Sequence, residues 1–488
     1  MTPLSIFIAV LAYSAVLFLI TWLTSRNATN ETYYSGNRSS RWYVVAYGMI
    51  GASLSGVTFM SVPGWVGATQ FSYMQMVLGY LVGYAVIATI LLPLYYRLNL
   101  TSIYSYLGTR FGYWSYKTGA SFFIVSRVIG ASFRLYIVVN ALQVFVFDAW
   151  GVPFWITVAS FIVLILLYTF QGGVKTIVWT DTLQTTFMLF AVVLSVVFIS
   201  KELHLAPGML AEKIKSGGHS QVFFGEWHSK LFFWKQFLGG MFIAIAMTGL
   251  DQEMMQKNIS CRNIRDAQKN MFSFSLVLVV VNLLFLSLGA VLYMYAAEKG
   301  ITVPAKTDDL FPVVALNYLG PFLAVIFIIG LISAAYPSAD GALTALTTSF
   351  CVDFLGLKNN AVIPEKRKTR IRYMVHCSFA LLLLLVIVVF RLVNDDAVVS
   401  TLFKVANFTY GPLLGLYAYG LFGRKGVRDA WVPFICVLAP ITCYLLDKFS
   451  VSLFNGYRFG NELLLLNGAL TYAGLLLSGP GAGRKTEK

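Results

Sequence analysis

The sequence predicts an all-α integral membrane protein with about 13 transmembrane helices. Of its 488 residues, 58% are hydrophobic and only 12% are charged, whereas a soluble domain carries roughly 25% charged residues. Apolar runs of about 20 residues, enough to cross a hydrocarbon core about 30 Å thick, recur along the whole chain. The longest hydrophilic interval, 201–232, is too short to form a separate soluble domain.

The predicted spans lie between charged or turn-rich breaks. We place them at 4–23, 42–67, 72–96, 118–147, 152–170, 176–200, 233–256, 271–295, 320–352, 373–391, 397–422, 430–447 and 460–478. They organise the chain into an N-terminal helix and loop (1–41), five spans (42–200), an extracellular loop (201–232), five more spans (233–425), and two C-terminal helices with a short tail (426–488).

The basic residues predict the orientation in the membrane. If the N-terminus is outside, 23 of the 36 Lys and Arg residues fall in cytoplasmic loops or the tail, and about ten fall on the opposite side. The positive-inside rule then gives an external N-terminus and a cytoplasmic C-terminus. The net charge of +15 indicates contact with anionic lipid headgroups. Nucleic-acid binding is not predicted, because the basic residues are scattered over short loops.

The second span contains the features of a broken helix. Between 48 and 64 it carries the glycines Gly48, Gly51 and Gly56, several hydroxyl side chains and Pro63. A stretch that unwinds at mid-membrane exposes carbonyl oxygens, which can coordinate a hard cation such as sodium. The alternative interpretation is a small-residue face used for helix packing.

The seventh span predicts a matching break. It begins with Gly239-Gly240, continues through Gly249, and ends with Asp251 and Glu253. If the second and seventh spans correspond in two five-helix repeats, the discontinuous helices hold a solute at the bilayer centre. Alternatively, Asp251 and Glu253 mark the cytoplasmic end of the helix.

Two further carboxylates fall inside apolar spans. Asp181 lies six residues beyond Lys175, which is roughly 9 Å along a helix. Asp340 is isolated in a run of about 30 otherwise uncharged residues. Ionisable groups at such depth are typical of ion ligands or proton carriers. A structural role, with bonds to neighbouring hydroxyls, is the alternative.

Three cations are also predicted inside spans. Arg127 and Arg134 lie seven residues apart and therefore on one face of the fourth span, while Lys404 interrupts the eleventh. Buried cations need partners. Intramembrane aspartates could neutralise the arginines, or a solute could bring its own carboxylate.

Other functional classes lack support in the sequence. HExxH, GxSxG and P-loop patterns are absent, so an enzyme is not predicted. The five cysteines form no CxxC pair and the four histidines are far apart, so neither a disulfide nor a transition-metal site is expected. A channel would show a repeated selectivity filter rather than singly placed charges.

Three motifs in these segments resemble the sodium:solute symporter family. The resemblance covers roughly residues 5–425. It implies a LeuT-like core, with a 5+5 inverted repeat in spans two to eleven, one extra N-terminal helix and two extra C-terminal helices. It further implies a bacterial inner membrane, sodium as the coupling ion and no organic cofactor. The motifs are Gly172-Gly173 with Trp179-Thr180-Asp181-Thr182-Leu183-Gln184, then Asp266-Ala267-Gln268-Lys269, and Gly411-Pro412-Leu413-Leu414-Gly415.

The resemblance implies sodium ligands in the second and ninth spans. Family members usually offer two adjacent serines in the ninth span, but the first of these positions is Pro337 here, which removes one hydroxyl. Matched residue by residue, the shared site falls on the carbonyls of Gly51 and Leu54 and on Ala334, Pro337 and Ser338.

A second sodium position is implied by Asp181 and Asp340. The sialic acid branch of the family builds a second site with the aspartate that matches Asp181, and Asp340 falls near it. A carboxylate at 340 in place of a hydroxyl would strengthen cation binding or make it sensitive to protons.

The resemblance also implies the solute-binding positions. The lysine that sugar transporters place in the eighth span is replaced here by Leu278, so a hexose is not favoured. Lys404 and Arg134 instead suggest an anionic or zwitterionic solute such as a carboxylate, an amino acid or a sialic acid. The solute contacts that the resemblance implies are Thr58, Ser61, Met247, Thr248, Asp251 and Lys404. Arg134 is added for its charge inside a span, and it lies one turn from the position that matches the carboxylate-binding arginine of the sialic acid branch.

The sequence therefore predicts a secondary active transporter that imports a small organic solute with sodium by alternating access. Two alternatives remain open at this stage. One is a proton-coupled carrier that uses Asp181 and Asp340, and the other is a sodium/sugar symporter.

Overall fold

The computed structural model describes residues 3–25, 29–206, 208–358, 360, 362–393 and 398–479. Arg26 and the tail residues Arg484, Lys485 and Lys488, which entered the orientation count, lie outside this set. Within it the chain is helical and forms no regular strand, so the predicted all-α class is confirmed. The helices are α1 (Pro3–Ser25), α2 (Asn30–Ser35), α3 (Trp42–Thr69), α4 (Tyr73–Val86), α5 (Leu92–Arg97), α6 (Ser105–Arg110), α7 (Tyr113–Leu142), α8 (Phe154–Glu202), α9 (Leu210–Ser216), α10 (Phe233–Ala244), α11 (Gln252–Ile259), α12 (Ile264–Glu298), α13 (Leu310–Asn317), α14 (Gly320–Ser349), α15 (Glu365–Val393), α16 (Val398–Thr409), α17 (Gly411–Phe422), α18 (Val432–Lys448), α19 (Ser450–Leu453) and α20 (Leu463–Leu477).

The multi-pass architecture agrees with the prediction. In the described residues, nine helical stretches are long and apolar enough to cross a bilayer, and the bent pair Phe233–Gly249 and Gln252–Ile259 makes a tenth. The predicted spans at 152–170 and 460–478 coincide with the shorter apolar helices Phe154–Phe170 and Leu463–Leu477. The span at 397–422 coincides with the consecutive helices α16 and α17. The total of 13 spans stays a prediction.

Some helices extend beyond their predicted spans. α12 begins at Ile264 rather than 271, and α15 begins at Glu365 rather than 373. Both added segments are rich in charge. Charged residues can continue a helix outside the hydrocarbon, where the apolar criterion used for the spans no longer detects them.

The long helix α8 is interrupted at Gly173. A straight helix of its 49 residues would be about 74 Å long, more than twice the thickness of the hydrocarbon core. Gly173 adopts φ 55° and ψ −152°, and a Cβ on it would lie 2.4 Å from the Cα of Tyr33. Glycine alone fits this conformation and this contact. The predicted boundary between the fifth and sixth spans falls here.

The predicted break in the second span is confirmed at Ser55 of α3. Ser55 has φ 29° and ψ 173°, and a non-glycine residue in such a conformation stores strain of about 1–3 kcal/mol. The break is held in place by close packing on both sides. A Cβ on Gly51 would lie 2.3 Å from Thr185 Oγ1, and one on Gly56 would lie 2.3 Å from Val138 Cγ2.

The predicted break in the seventh span is also confirmed. A π-helical turn over Ile245–Gly249 ends α10, and α11 restarts after it with a bend of 66°. Asp251 caps the new helix, because its Oδ1 accepts hydrogen bonds from the backbone N–H groups of Glu253 and Met254 at 3.0 and 3.2 Å. A side-chain cap of this kind satisfies donors that a buried helix start would otherwise leave unpaired.

Both broken helices lie at the centre of the bundle. α3 packs against α8, α12 and α14, and α10 packs along α4. The stretch of α3 after the break is fixed by Phe59, whose ring lies 5.2 Å from that of Phe311 and 5.7 Å from that of Phe327. The irregular backbone is therefore enclosed by protein, the setting in which it is tolerated at membrane depth.

Candidate solute and ion sites

A central cavity of about 80 Å³ lies beside both breaks. Residues of α3, α4, α7, α10, α11, α12 and α16 form its walls, together with the π-helical turn that follows α10. Most of the wall is apolar, and a few hydroxyl, amide and guanidinium groups converge on it, as is usual for small-molecule sites. Its polar side chains include Thr58, Tyr73, Tyr80, Tyr84, Arg127, Arg134, Thr248 and Asn282.

The implied solute contacts divide into two groups. Thr58, Met247, Thr248 and Arg134 line the central cavity. Ser61, Asp251 and Lys404 do not. Ser61 is buried on α3 about one turn from Thr58, and its hydroxyl has no hydrogen-bond partner among the described residues.

Lys404 lies in a separate outer cavity of about 380 Å³. Lys230, Asn407 and Asp447 also line this cavity. The preceding residue, Phe403, lines both the outer and the central cavity and so stands between them. Consecutive residues of a helix point in different directions, which is why Lys404 turns away from the centre.

Arg127 has internal partners. Its guanidinium lies 3.6 Å from Asp251 Oδ2 and pairs directly with Glu253. Asp251 Oδ2 also accepts a hydrogen bond from the Tyr410 hydroxyl at 2.7 Å. Asp251 is fully buried and Glu253 nearly so. Both acids therefore lie inside the protein, because the bend turns the start of α11 into the bundle.

Arg134 differs from Arg127, although both lie on one face of α7. It is 9% exposed and lines the central cavity. It forms no ion pair with any acidic residue that the structure describes, and its Nε has no hydrogen-bond acceptor there. A buried guanidinium without a carboxylate is costly, so this group is available to an anionic ligand.

The implied sodium ligands lie where the broken α3 meets α14. Ser55, which has non-helical φ/ψ angles, directly follows the turn that contains Gly51 and Leu54, and carbonyls beside such a break can be left without helical donors. On α14 the Ser338 hydroxyl is buried without a hydrogen-bond partner among the described residues. Pro337 has no N–H group, so the carbonyl of Ser333 one turn earlier also lacks its helical donor.

Asp181 already has a cationic partner. Its Oδ2 lies 2.7 Å from Lys257 Nζ, and both side chains are buried. Lys257 also donates a hydrogen bond to Glu253 Oε1 at 3.2 Å. Lys257 is one of the 23 basic residues that the orientation count placed in cytoplasmic loops or the tail, but it lies in a helix and its side chain is buried. It belongs to α11, whose bend carries it inward.

Asp340 is bound by neutral donors. The Tyr168 hydroxyl donates to its Oδ2 at 2.8 Å, and the Gly341 backbone N–H donates to its Oδ1 at 2.5 Å. Asp340 is fully buried and lies within electrostatic range of both Asp181 and Lys257. The structure therefore brings Asp181 and Asp340 into one polar region between α8 and α14.

Comparison with known proteins agrees with this architecture. The sequence profile of the sodium:solute symporter family matches residues 33–422. The chain belongs to the sodium:solute symporter family. This symporter is accordingly a sodium-coupled transporter and not an enzyme, as predicted.

Several curated relatives span most of the symporter. The sodium/sialic acid symporter SiaT of Proteus mirabilis is 21% identical over 92% of this chain and 90% of its own length. The sodium-coupled monocarboxylate transporter 1 of Mus musculus is 25% identical over 88% of this chain and 68% of its own length. The human sodium/iodide cotransporter is 24% identical over 80% of this chain and 61% of its own length.

Solved structures show the same fold. A Na⁺-coupled sialic acid symporter in a substrate-bound outward-open state aligns with a TM-score of 0.82 at 18% identity, covering 97% of both chains. Mhp1, a nucleobase-cation-symport-1 family transporter in a closed conformation, aligns with a TM-score of 0.54 at 14% identity, covering 93% of this chain and 95% of its own. Together they confirm the predicted LeuT-like fold of the symporter.

The contacts of three residues in the ion region were not predicted from the sequence. Glu253 was noted only at the break of the seventh span and Lys257 only among the basic loop residues, although their i,i+4 spacing is typical of a helical ion pair. Tyr168 lies in an apolar span, where the presence of a tyrosine does not by itself indicate a contact with an ion-site residue. Its role depends on α8 and α14 meeting at Asp340, which only the tertiary structure specifies.

Proposed function

We propose that this symporter imports a small organic anion or zwitterion whose carboxylate binds Arg134. The observation that carries the proposal is the unpaired guanidinium in the central cavity. Arginine suits a carboxylate because its planar fork donates two parallel hydrogen bonds. Sialic acids and monocarboxylates, the solutes for which several relatives are named, share this group.

The remaining wall of the cavity fits the body of such a solute. Thr58, Thr248 and the hydroxyls of Tyr73 and Tyr80 offer hydrogen bonds, while Met247 supplies apolar contact. At position 278 the wall presents a leucine and no cation, which makes a sugar the weaker candidate. The volume of about 80 Å³ favours a small solute.

Sodium is proposed to bind between the α3 break and α14. The ligands would be the carbonyls of Gly51 and Leu54 with Ala334, Pro337 and Ser338. Pro337 supplies no hydroxyl, but the freed Ser333 carbonyl adds an oxygen in the same turn. Oxygen donors of this kind suit a hard monovalent cation.

The proposed cycle begins with sodium moving inward down its gradient, driven by about 2.3 kcal/mol per charge for each 100 mV. Sodium at α3 and solute at Arg134 then stabilise each other, since coupling between two ligands is reciprocal. Spans 42–200 and 233–425 act as the two repeats that rock around the site. We place the protein in a cell (inner) membrane among lipids, with the N-terminus outside, and expect no organic cofactor.

The proposal is tested in proteoliposomes loaded with the purified protein. Uptake of radiolabelled sialic acid and of lactate is measured under an inward sodium gradient, under a proton gradient, and with glucose as a competitor. Sodium-dependent uptake of either carboxylate, abolished by Arg134→Gln, supports the proposal. Uptake driven by protons without sodium would favour a carrier based on Asp181 and Asp340, and competition by glucose would favour a sugar symporter.

A further inference from the structure

The strongest unexplained feature is a buried ammonium beside the carboxylates of the ion region. We propose that Lys257 is a built-in cation that occupies Asp181 in place of a second sodium ion, so that the symporter couples one sodium ion to each solute. The inference rests on the proposed function and deepens it, because it fixes the ion stoichiometry of that same site.

Geometry places the ammonium where a mobile ion would otherwise sit. Lys257 Nζ lies 2.7 Å from Asp181 Oδ2 and 3.2 Å from Glu253 Oε1. The lysine side chain is 3% exposed, the aspartate 1% and the glutamate 2%. The negative charge of the desolvated Asp181 carboxylate is already compensated by a cation at this distance, so a second cation would gain little there.

The lysine cannot withdraw to water while α11 keeps its position. Gln256, the residue before it, donates hydrogen bonds from Nε2 to the Tyr34 carbonyl at 2.6 Å and to Thr348 Oγ1 at 3.1 Å. Glu253, one turn earlier, is held by Arg127. Lysines near a membrane surface usually extend their charge to the interface, and the anchoring of α11 prevents that here.

The charge balance explains what removal of the lysine would do. Asp181 and Asp340 lie within electrostatic range of each other and share Lys257 as their nearby cation. Apart from Lys257, Asp340 is surrounded by neutral hydrogen-bond donors, the Tyr168 hydroxyl and the backbone N–H of Gly341. Without Lys257 the buried carboxylate of Asp181 loses its cationic partner, and a mobile cation is expected to replace it.

A tethered cation also changes the transport cycle. Lys257 belongs to α11 and Asp181 to α8, so the ion pair joins the second broken helix to the first group of spans. When α11 moves, the Lys257 ammonium separates from Asp181 and later returns to it, but it stays attached to the protein and is not released into the cell. The sodium ion at α3 is then the one that is carried across.

The test measures sodium dependence of lactate or sialic acid uptake, together with the ratio of ²²Na⁺ to solute. The native protein should show a Hill coefficient of about 1 for sodium and a ratio of about 1, since the Hill coefficient cannot exceed the number of sites. Lys257→Met should raise the Hill coefficient towards 2. Lys257→Arg, which keeps the charge, should leave it at about 1.

A double variant guards against misfolding. Lys257→Met with Asp181→Asn removes both charges of the pair, and we expect it to fold and to return the Hill coefficient to about 1. A native ratio of two sodium ions per solute would overturn the inference and leave the proposed function standing. So would a Lys257→Met variant whose uptake becomes dependent on protons instead of steeper in sodium. Absence of any sodium dependence in the native protein would overturn both.

Discussion

Replacement of Arg134 by glutamine is the most informative perturbation of the central cavity. If its guanidinium binds a carboxylate through two parallel hydrogen bonds, each bond to a charged group contributes about 1.5–3 kcal/mol. Allowing for water that replaces part of this contact, the variant loses about 3 kcal/mol of binding free energy, or roughly 100-fold in affinity. Arg134→Lys keeps the positive charge but cannot donate two parallel hydrogen bonds to one carboxylate, and we expect it to lower solute affinity roughly tenfold.

Arg127 provides a matched control on the same face of α7. Its guanidinium is paired with Asp251 and Glu253, so Arg127→Gln leaves two buried carboxylates uncompensated and should cost about 3–5 kcal/mol of stability. Arg134 has no such partner among the described residues. Arg134→Gln should therefore leave the melting temperature unchanged or raise it.

The assay combines equilibrium binding with thermal unfolding in detergent at saturating sodium. Radiolabelled sialic acid and lactate serve as the two probe solutes. The expected pattern is a loss of affinity with intact stability for Arg134→Gln, and a loss of stability for Arg127→Gln. The assignment of Arg134 is refuted if its glutamine variant binds both solutes within threefold of the native protein, or if both variants melt equally early.

Three further predictions concern the ion site, the fold and the outer cavity. Pro337→Ala restores the backbone N–H that pairs the Ser333 carbonyl in a regular helix, without adding a hydroxyl, and should weaken sodium affinity by about 1 kcal/mol, or roughly fivefold, measured as the sodium concentration for half-maximal uptake. An unchanged value would remove this position from the site. Gly173→Ala should prevent normal expression or lower the melting temperature by many degrees, because its Cβ would lie 2.4 Å from the Cα of Tyr33 at a φ of 55°, and native-like melting would contradict that packing. Lys404→Gln should slow solute association severalfold at low salt while leaving equilibrium affinity nearly unchanged, since this exposed lysine lines only the outer cavity. A large loss of affinity would instead place Lys404 at the bound solute.

The sequence predicted the two breaks because their signals are local. Glycines and a proline around Ser55, and Gly249 before Asp251, weaken a helix wherever it lies in the fold. The conformation at Ser55 and the bend of 66° appear in the expected spans. The family motifs in the same segments then led to the fold that the structural comparisons confirm.

The partners of the buried charges were not predictable in the same way. Lys257 lies near the end of an apolar run, and hydropathy alone places such a lysine at the membrane surface. The bend after Gly249 reverses this expectation, because it directs α11 towards Asp181 on α8, 76 positions earlier in the chain. The position of Lys404 was not predictable either, because a rotation of one residue along the helix decides which cavity a side chain lines: Phe403 lines both cavities, and Lys404 lines the outer one.

The arrangement of charges suggests how the sodium and solute sites communicate. Arg127 and Arg134 share one face of α7, and Arg127 is bound to the two acids that begin α11. Asp251 caps that helix and also accepts from Tyr410, at the junction of α16 and α17. A movement of α11 would therefore change the surroundings of Arg127, which shares a face of α7 with Arg134.

The same α11 carries Lys257 to Asp181, whose carbonyl accepts a hydrogen bond from Thr185 Oγ1 at 2.7 Å. Thr185 Oγ1 in turn accepts the Gly51 backbone N–H at 3.1 Å, beside the α3 break. One short helix thus contacts Arg127, which shares a face of α7 with the proposed solute anchor Arg134, and Asp181, which is linked through Thr185 to the proposed sodium site. If each ligand alters a contact that α11 makes, binding of either one changes the free energy of binding the other, as coupled transport requires.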